Sequence, residues 1–156
     1  MTWLVIRVRS NIGIERSIKE TMSYLNLTRV NHAVLVPEND TYAGMLQKSK
    51  DYVTWGKVDE ATISNLISER GRLVGDKPIT DAVVKSATDY KNIKDFASAI
   101  ASGDSTTKAI SDMKPVFRLH PPRGSKGWGG IKRHFTVGGA LGFRGDAISD
   151  LVGRMM

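Results

Sequence analysis

The chain has 156 residues, with 23 Lys/Arg against 16 Asp/Glu and a formal net charge of +7. That length suits one domain with a real core, burying roughly 70% of the unfolded surface, and the excess charge points to a polyanionic partner. There is no cysteine, which excludes disulfide frameworks, Cys-ligated zinc and thiol catalysis.

Trp3 to Arg9 reads as a strand, with Leu4, Ile6 and Val8 on one face and Trp3, Val5, Arg7 and Arg9 on the other. Its apolar run is shorter than the roughly 7–15 residues of a secretory signal core or the about 20 of a membrane span. The expectation is a cytoplasmic protein without a membrane partner. Ser10, Asn11 and Gly13 supply turn and cap residues before a helix whose Ile14, Ile18, Met22 and Leu25 form a core-facing stripe.

Ala33 to Val36 is a second, wholly apolar strand stopped by Pro37. Asp40 or Thr41 is positioned to cap a short helix from Tyr42 to about Lys50, and Tyr52 to Val58 alternates as a third strand. Residues 1–58 therefore read β-α-β-α-β, a two-layer unit with helices on a small sheet.

Residues 59–113 carry seven basic and nine acidic residues, so this part packs rather than binds. Ile63, Leu66 and Ile67 share a helix face ending near Arg70, and Thr80 to about Ser86 makes a second helix. Ile93, Phe96, Ala97 and Ile100 make a third, stopped at Gly103, and Ser105 to Met113 a short fourth. Phe117 to Leu119 is extended, Pro121 to Gly142 is irregular, and Asp146 to Met155 is a closing helix using Ile148, Leu151 and Val152.

Charge concentrates in Lys114 to Gly145. This stretch holds Lys114, Arg118, Arg123, Lys126, Lys132, Arg133 and Arg144, no acid, and eight of the fifteen glycines. The rest of the chain carries 16 basic and 16 acidic residues, so the whole formal excess lies here. Phe117, Trp128, Phe135 and Phe143 are interleaved with the cations, as are His120 and His134. Cations neutralise phosphates, and flat rings stack on unpaired bases. Arg7, Arg9, Arg16, Lys19 and Arg29 form a second basic set, several of them at strand-helix connections.

Other chemistries lack their residues. Neither Gly124 to Gly130 nor Gly138 to Gly142 matches G-x-x-x-x-G-K-[ST] or G-x-G-x-x-G. The three histidines show no metal-ligand spacing, and no G-x-S-x-G elbow occurs. No enzymatic activity, cofactor, metal or small-molecule substrate is expected.

Leu25 to Pro37, containing Arg29-Val30-Asn31-His32, followed by Thr41-Tyr42-Ala43-Gly44-Met45, resembles the uL30 family of large-subunit ribosomal proteins. Arg118-Leu119-His120-Pro121-Pro122-Arg123-Gly124 is similar to the extension of its archaeal and eukaryotic members, and the length resembles the archaeal long form. The resemblance implies an α+β fold. Its ferredoxin-like β-α-β-α-β core spans 1–58; a helical insertion and a Gly-rich basic C-terminal extension, 59–156, pack on that core.

The resemblance further implies a structural constituent of the large ribosomal subunit that binds ribosomal RNA and supports assembly and translation. Large-subunit RNA and neighbouring ribosomal proteins are then the partners, and the alternative is a free RNA-binding assembly factor of the same fold. Matching positions put Arg9, Ser10, Arg29, His32, Met45 and Lys48 on the RNA-facing side, with Arg118, His120 and Arg123 from the extension. Lys126, Trp128, Lys132, Arg133 and His134 join them on charge and stacking alone.

Overall fold

The computed structural model describes residues 1–124 and 126–156. Ser125, within the Gly-rich segment, lies outside the described residues. The elements β1 (Thr2–Arg7), α1 (Arg16–Tyr24), β2 (His32–Pro37), α2 (Asp40–Lys48) and β3 (Val53–Lys57) follow in the order the hydrophobic pattern predicts. β1 is antiparallel to both other strands, with Leu4 opposite Leu35 and Gly56. β2 and β3 therefore run parallel to each other on either side of it, with α2 as the crossover of a split β-α-β unit.

Three caps match their sequence signals and two do not. Asp59 and Thr80 accept from the third residue ahead and open α3 (Glu60–Arg70) and α4 (Asp81–Ala87). Gly103, at φ +89°, closes α5 (Ile93–Ser102), a left-handed conformation that glycine adopts without cost. At α2 the cap is Asn39, which accepts from the Tyr42 amide at 2.9 Å; Asp40 and Thr41 are one position too late. At α1, Glu15 precedes the helix without a side-chain cap, because residues 8–15 form a long turn first. The fourth helix expected over 105–113 shrinks to a 3-10 turn at Thr107–Ala109.

The last third of the chain returns to the same sheet. β4 (Val116–Arg118) pairs antiparallel with β2, and β5 (Gly142–Phe143) lies parallel beside β3, giving the order β4-β2-β1-β3-β5. α6 (Ala147–Met155) then packs across β3.

The two-layer expectation is corrected to three layers. One sheet face, carrying Leu4, Ile6 and Ala33, packs against Ile63, Leu66 and Ile67 of α3, Phe96 and Ile100 of α5, and Ile148, Leu151 and Val152 of α6. The other, carrying Val5, Val34, Val36 and Val53, packs against Met22, Leu25, Leu27 and Leu46 near α1 and α2. Each large apolar side chain so buried contributes roughly 1.5–3 kcal/mol. The reason is legible in β1 itself, which is apolar on both faces, the pattern of a strand covered on both sides. The helices of residues 59–113 supply the second cover.

Candidate nucleic-acid interface

Strand register gathers the connecting loops at one end of the sheet. The last residue of β1, Arg7, lies opposite Val53 at the start of β3; His32, the first residue of β2, lies opposite Arg118, the last of β4. The start of β5 joins them, with Gly142 opposite Thr54. The turns after β1 and before β2, the end of α2 and both ends of the segment between β4 and β5 thus meet at one edge.

Two buried arginines organise that edge. Arg7, read from sequence as a member of the surface basic set, is 1% exposed. Its guanidinium donates to the Arg9 and Leu27 carbonyls, each at 2.8 Å, and to the Asn11 side chain. It thereby ties the turn after β1 to the turn before β2, and burial holds its pKa below the ordinary arginine value.

Arg144 does the same on the other side. It donates to Thr54 Oγ1 and to the Ala140 carbonyl, each at 2.8 Å, and lies 4.9 Å from the Phe135 ring centroid. Burial first, and Arg154 second, lower its pKa to about 10. Both stay charged at neutral pH, and neither presents its charge to solvent. Phe117, expected as a stacking ring, is also corrected: it is fully buried in the core.

Around these brackets lie the sequence-predicted residues. Ser10 and Arg29 are exposed on the two turns. Arg9 is half-buried, its guanidinium 5.2 Å from the Tyr52 ring centroid. His32 is half-buried, and its Nδ1 has no protein partner. Its pKa is lowered by burial first and then by the charges of Arg29, Arg118 and Arg7, which measures how tightly cations crowd this edge. Lys48 is exposed on the last turn of α2, while Met45, one turn earlier, packs against the α1/α2 core.

Arg118 is exposed but not unpartnered. Its Nη2 donates to Asp76 at 2.6 Å, and Lys114 Nζ shares the same carboxylate oxygen at 2.7 Å. Asp76 comes from the helical middle, so that part reaches the basic edge. Its side chain could not have been placed there without the register of β4.

The segment after β4 is pinned to the fold at both ends. The amides of His120 and Arg123 donate to the Met155 and Arg154 carbonyls of α6, at 2.9 and 3.1 Å. These carbonyls at a helix C-terminus lack an intrahelical donor. Trp128 packs with Val8, Ala140 and Leu141, which leaves its ring half-buried. Farther on, His134 Nε2 lies 3.3 Å from Asp51 Oδ1, and the Arg133 carbonyl accepts from Ala140 and Leu141. Held between these anchors, Arg123, Lys126, Lys132, Arg133 and His120 are all exposed.

Sequence reasoning missed Asn31 and Arg154. Asn31 sits at φ +67°, its amide donating to the Arg7 carbonyl and its carbonyl accepting from Leu119. An Asn between the motif's Val and His is the available signal, since Asn tolerates the left-handed region. Arg154 Nη1 reaches the Arg123 and Gly127 carbonyls at 3.4 and 3.3 Å; no local pattern announces that.

Among the described residues no group of three His, Asp or Glu side chains is placed to hold a metal ion. No helix is long and apolar enough to cross a membrane. The chemistry this edge offers is fixed positive charge, backbone amides and flat rings.

The family model described as "Ribosomal protein L30p/L7e" matches residues 3–53. The chain is 48% identical over 154 residues to "Large ribosomal subunit protein uL30" of Methanosphaera stadtmanae, covering 99% of both chains. It is 47% identical over 153 residues to the protein of that name from Methanocorpusculum labreanum, covering 98% of this chain and 99% of the relative. A third protein of that name, from Methanococcus maripaludis, is 45% identical over 156 residues, covering 100% of both.

Proposed function

The chain belongs to the ribosomal protein L30p/L7e family, whose members are structural proteins rather than enzymes, and from that premise we propose that it sits in the large ribosomal subunit and binds ribosomal RNA through the basic edge of its sheet. The observation that carries the proposal is convergence. Turns distant in sequence, after β1, before β2 and after β4, bring Arg9, Arg29, Arg118, Arg123 and Lys48 to one end of one sheet. Exposed cations held by a rigid frame suit a fixed arrangement of phosphates, with little ordering cost on binding.

The interface comprises Arg9, Ser10, Arg29, His32 and Lys48 on the first 58 residues, with Met45 supporting α2 from within. From the rest of the chain come Arg118, His120, Arg123, Lys126, Lys132, Arg133 and His134, with Trp128 as the packed anchor of their segment. Residues 1–58 and 59–156 are thus two contributors to one surface, rather than a binding core and a scaffold. Neighbouring ribosomal proteins meet the remaining faces, and the protein supports subunit assembly in the cytoplasm.

The test is the salt dependence of binding to a transcript of large-subunit ribosomal RNA. Each duplex phosphate neutralised adds about 0.9 to the slope of log K against log salt. Changing Arg118, Arg123, Lys132 and Arg133 to Ala should flatten the slope by roughly 2–4. An unchanged slope removes these residues from the interface. Stoichiometric co-sedimentation with large subunits in high salt distinguishes a resident protein from a free assembly factor.

A further inference from the structure

A groove of about 310 Å³ opens beside β5, between the end of α2 and the loop carrying His134 and Phe135. Its walls include Trp55, His134, Phe135 and Phe143, with Gln47 and Lys50 on the α2 side. Two features separate it from an ordinary surface dent. Phe143 is 46% and Phe135 39% exposed, a cost that folding alone does not require. The rings are also fixed: Phe143 lies 6.3 Å from Trp55 at a tilt of 50°, and Phe135 is held against the Arg144 guanidinium.

Resting on the RNA-binding reading, we propose that this groove receives one unpaired nucleotide of the bound RNA, its base stacked against Phe143 and Phe135. The volume lies at the low end of the roughly 300–1,000 Å³ of small-ligand sites, room for a nucleotide and not for a helix. Rigid exposed aromatic faces are what single-stranded bases stack on, and the Gln47 amide is a donor-acceptor pair suited to a base edge. Charge favours RNA over a protein segment. Lys48 and Lys50 flank the groove on α2, and Lys132 and Arg133 immediately precede His134. The one nearby carboxylate, Asp51, is engaged by His134.

Phe143→Leu keeps apolar volume at the groove while removing the ring. With the full-length chain and the large-subunit RNA transcript, it should weaken binding roughly 5- to 150-fold, the loss expected of one base stack. The salt slope should stay as in the wild type, because no phosphate contact is lost. Phe143→Trp should retain affinity. Photocrosslinking with 4-thiouridine in the transcript should attach RNA to residues 134–143 in the wild type.

Wild-type affinity in Phe143→Leu, or crosslinks only elsewhere, overturns the nucleotide site while leaving the basic edge intact. Loss of affinity with an equally flattened slope also overturns it, since the ring then acts only by placing cations. A crosslink from this loop to a neighbouring ribosomal protein within assembled subunits assigns the groove to protein instead. Absence of any wild-type RNA binding fails the broader reading first.

Discussion

Two arginines carry most of the order at the basic edge, and neither faces its partner. Arg7 satisfies two backbone carbonyls and the Asn11 side chain from a buried position. Replacing it with Met leaves those buried acceptors unpaired and should cost about 3 kcal/mol of stability, measured by denaturant unfolding. RNA affinity should fall as well, yet with the salt slope unchanged, because Arg7 organises phosphate ligands without being one. His32 offers a reading of the same crowding. Burial and then three arginines hold its pKa below the ordinary 6.5. Between that depressed value and 6.5 the folded state binds fewer protons than the unfolded one. Stability of the free protein therefore rises with pH across this window and is lost as pH falls through it. Phosphates placed on Arg29 and Arg118 would offset their charge and raise the His32 pKa, so RNA affinity should increase as pH drops through the window. An NMR titration of the His32 ring with and without RNA checks this; a pKa unmoved by RNA places the phosphates elsewhere.

At the scale of elements, helix faces and caps were legible because each is written in adjacent residues. The stripe Ile63, Leu66 and Ile67 and the stop at Gly103 stand where the pattern put them. What was not legible is contact between distant segments. That α6 lies across β3 depends on Gly56, where an added Cβ would run into the Gly145 carbonyl and sit 2.8 Å from Ile148 Cβ. Nothing near Gly56 in sequence distinguishes it from a glycine that merely weakens a strand. Gly56→Ala should therefore cost at least the roughly 1–3 kcal/mol of an overpacked core. It should also loosen the segment around His120 and Arg123, whose amides rest on the end of α6, giving faster hydrogen exchange there. Gly44→Ala is the matched control. It lies within α2 with open space around it, so the change should stabilise by up to about 1 kcal/mol.

For the molecule as a whole, the composition located the charge correctly but not its geometry. Seven basic residues in one acid-free stretch suggested a single appendage, yet Arg144 is buried, Lys114 and Arg118 share Asp76, and Phe117 is core. The stretch begins and ends as strands of the sheet because Val116–Arg118 and Gly142–Phe143 pair with β2 and β3, a long-range fact that local pattern does not carry. This bears on whether residues 1–58 stand alone. They contain the whole β-α-β-α-β unit and its α1/α2 core, but the opposite face of their sheet holds Leu4, Ile6 and Ala33, each fully buried by α3, α5, α6 and β4. A fragment ending at Val58 exposes that face and both edge strands at once, an invitation to association. It should sediment as oligomers or bind a hydrophobic dye, and its RNA affinity should fall because Arg118 and Arg123 are missing. Replacing Leu4, Ile6 and Leu35 by Thr in the fragment should restore a monomer, since the α1/α2 core is untouched. A wild-type fragment that is monomeric, with sharp dispersed NMR resonances, would show that the second layer adds stability without being needed to specify the sheet.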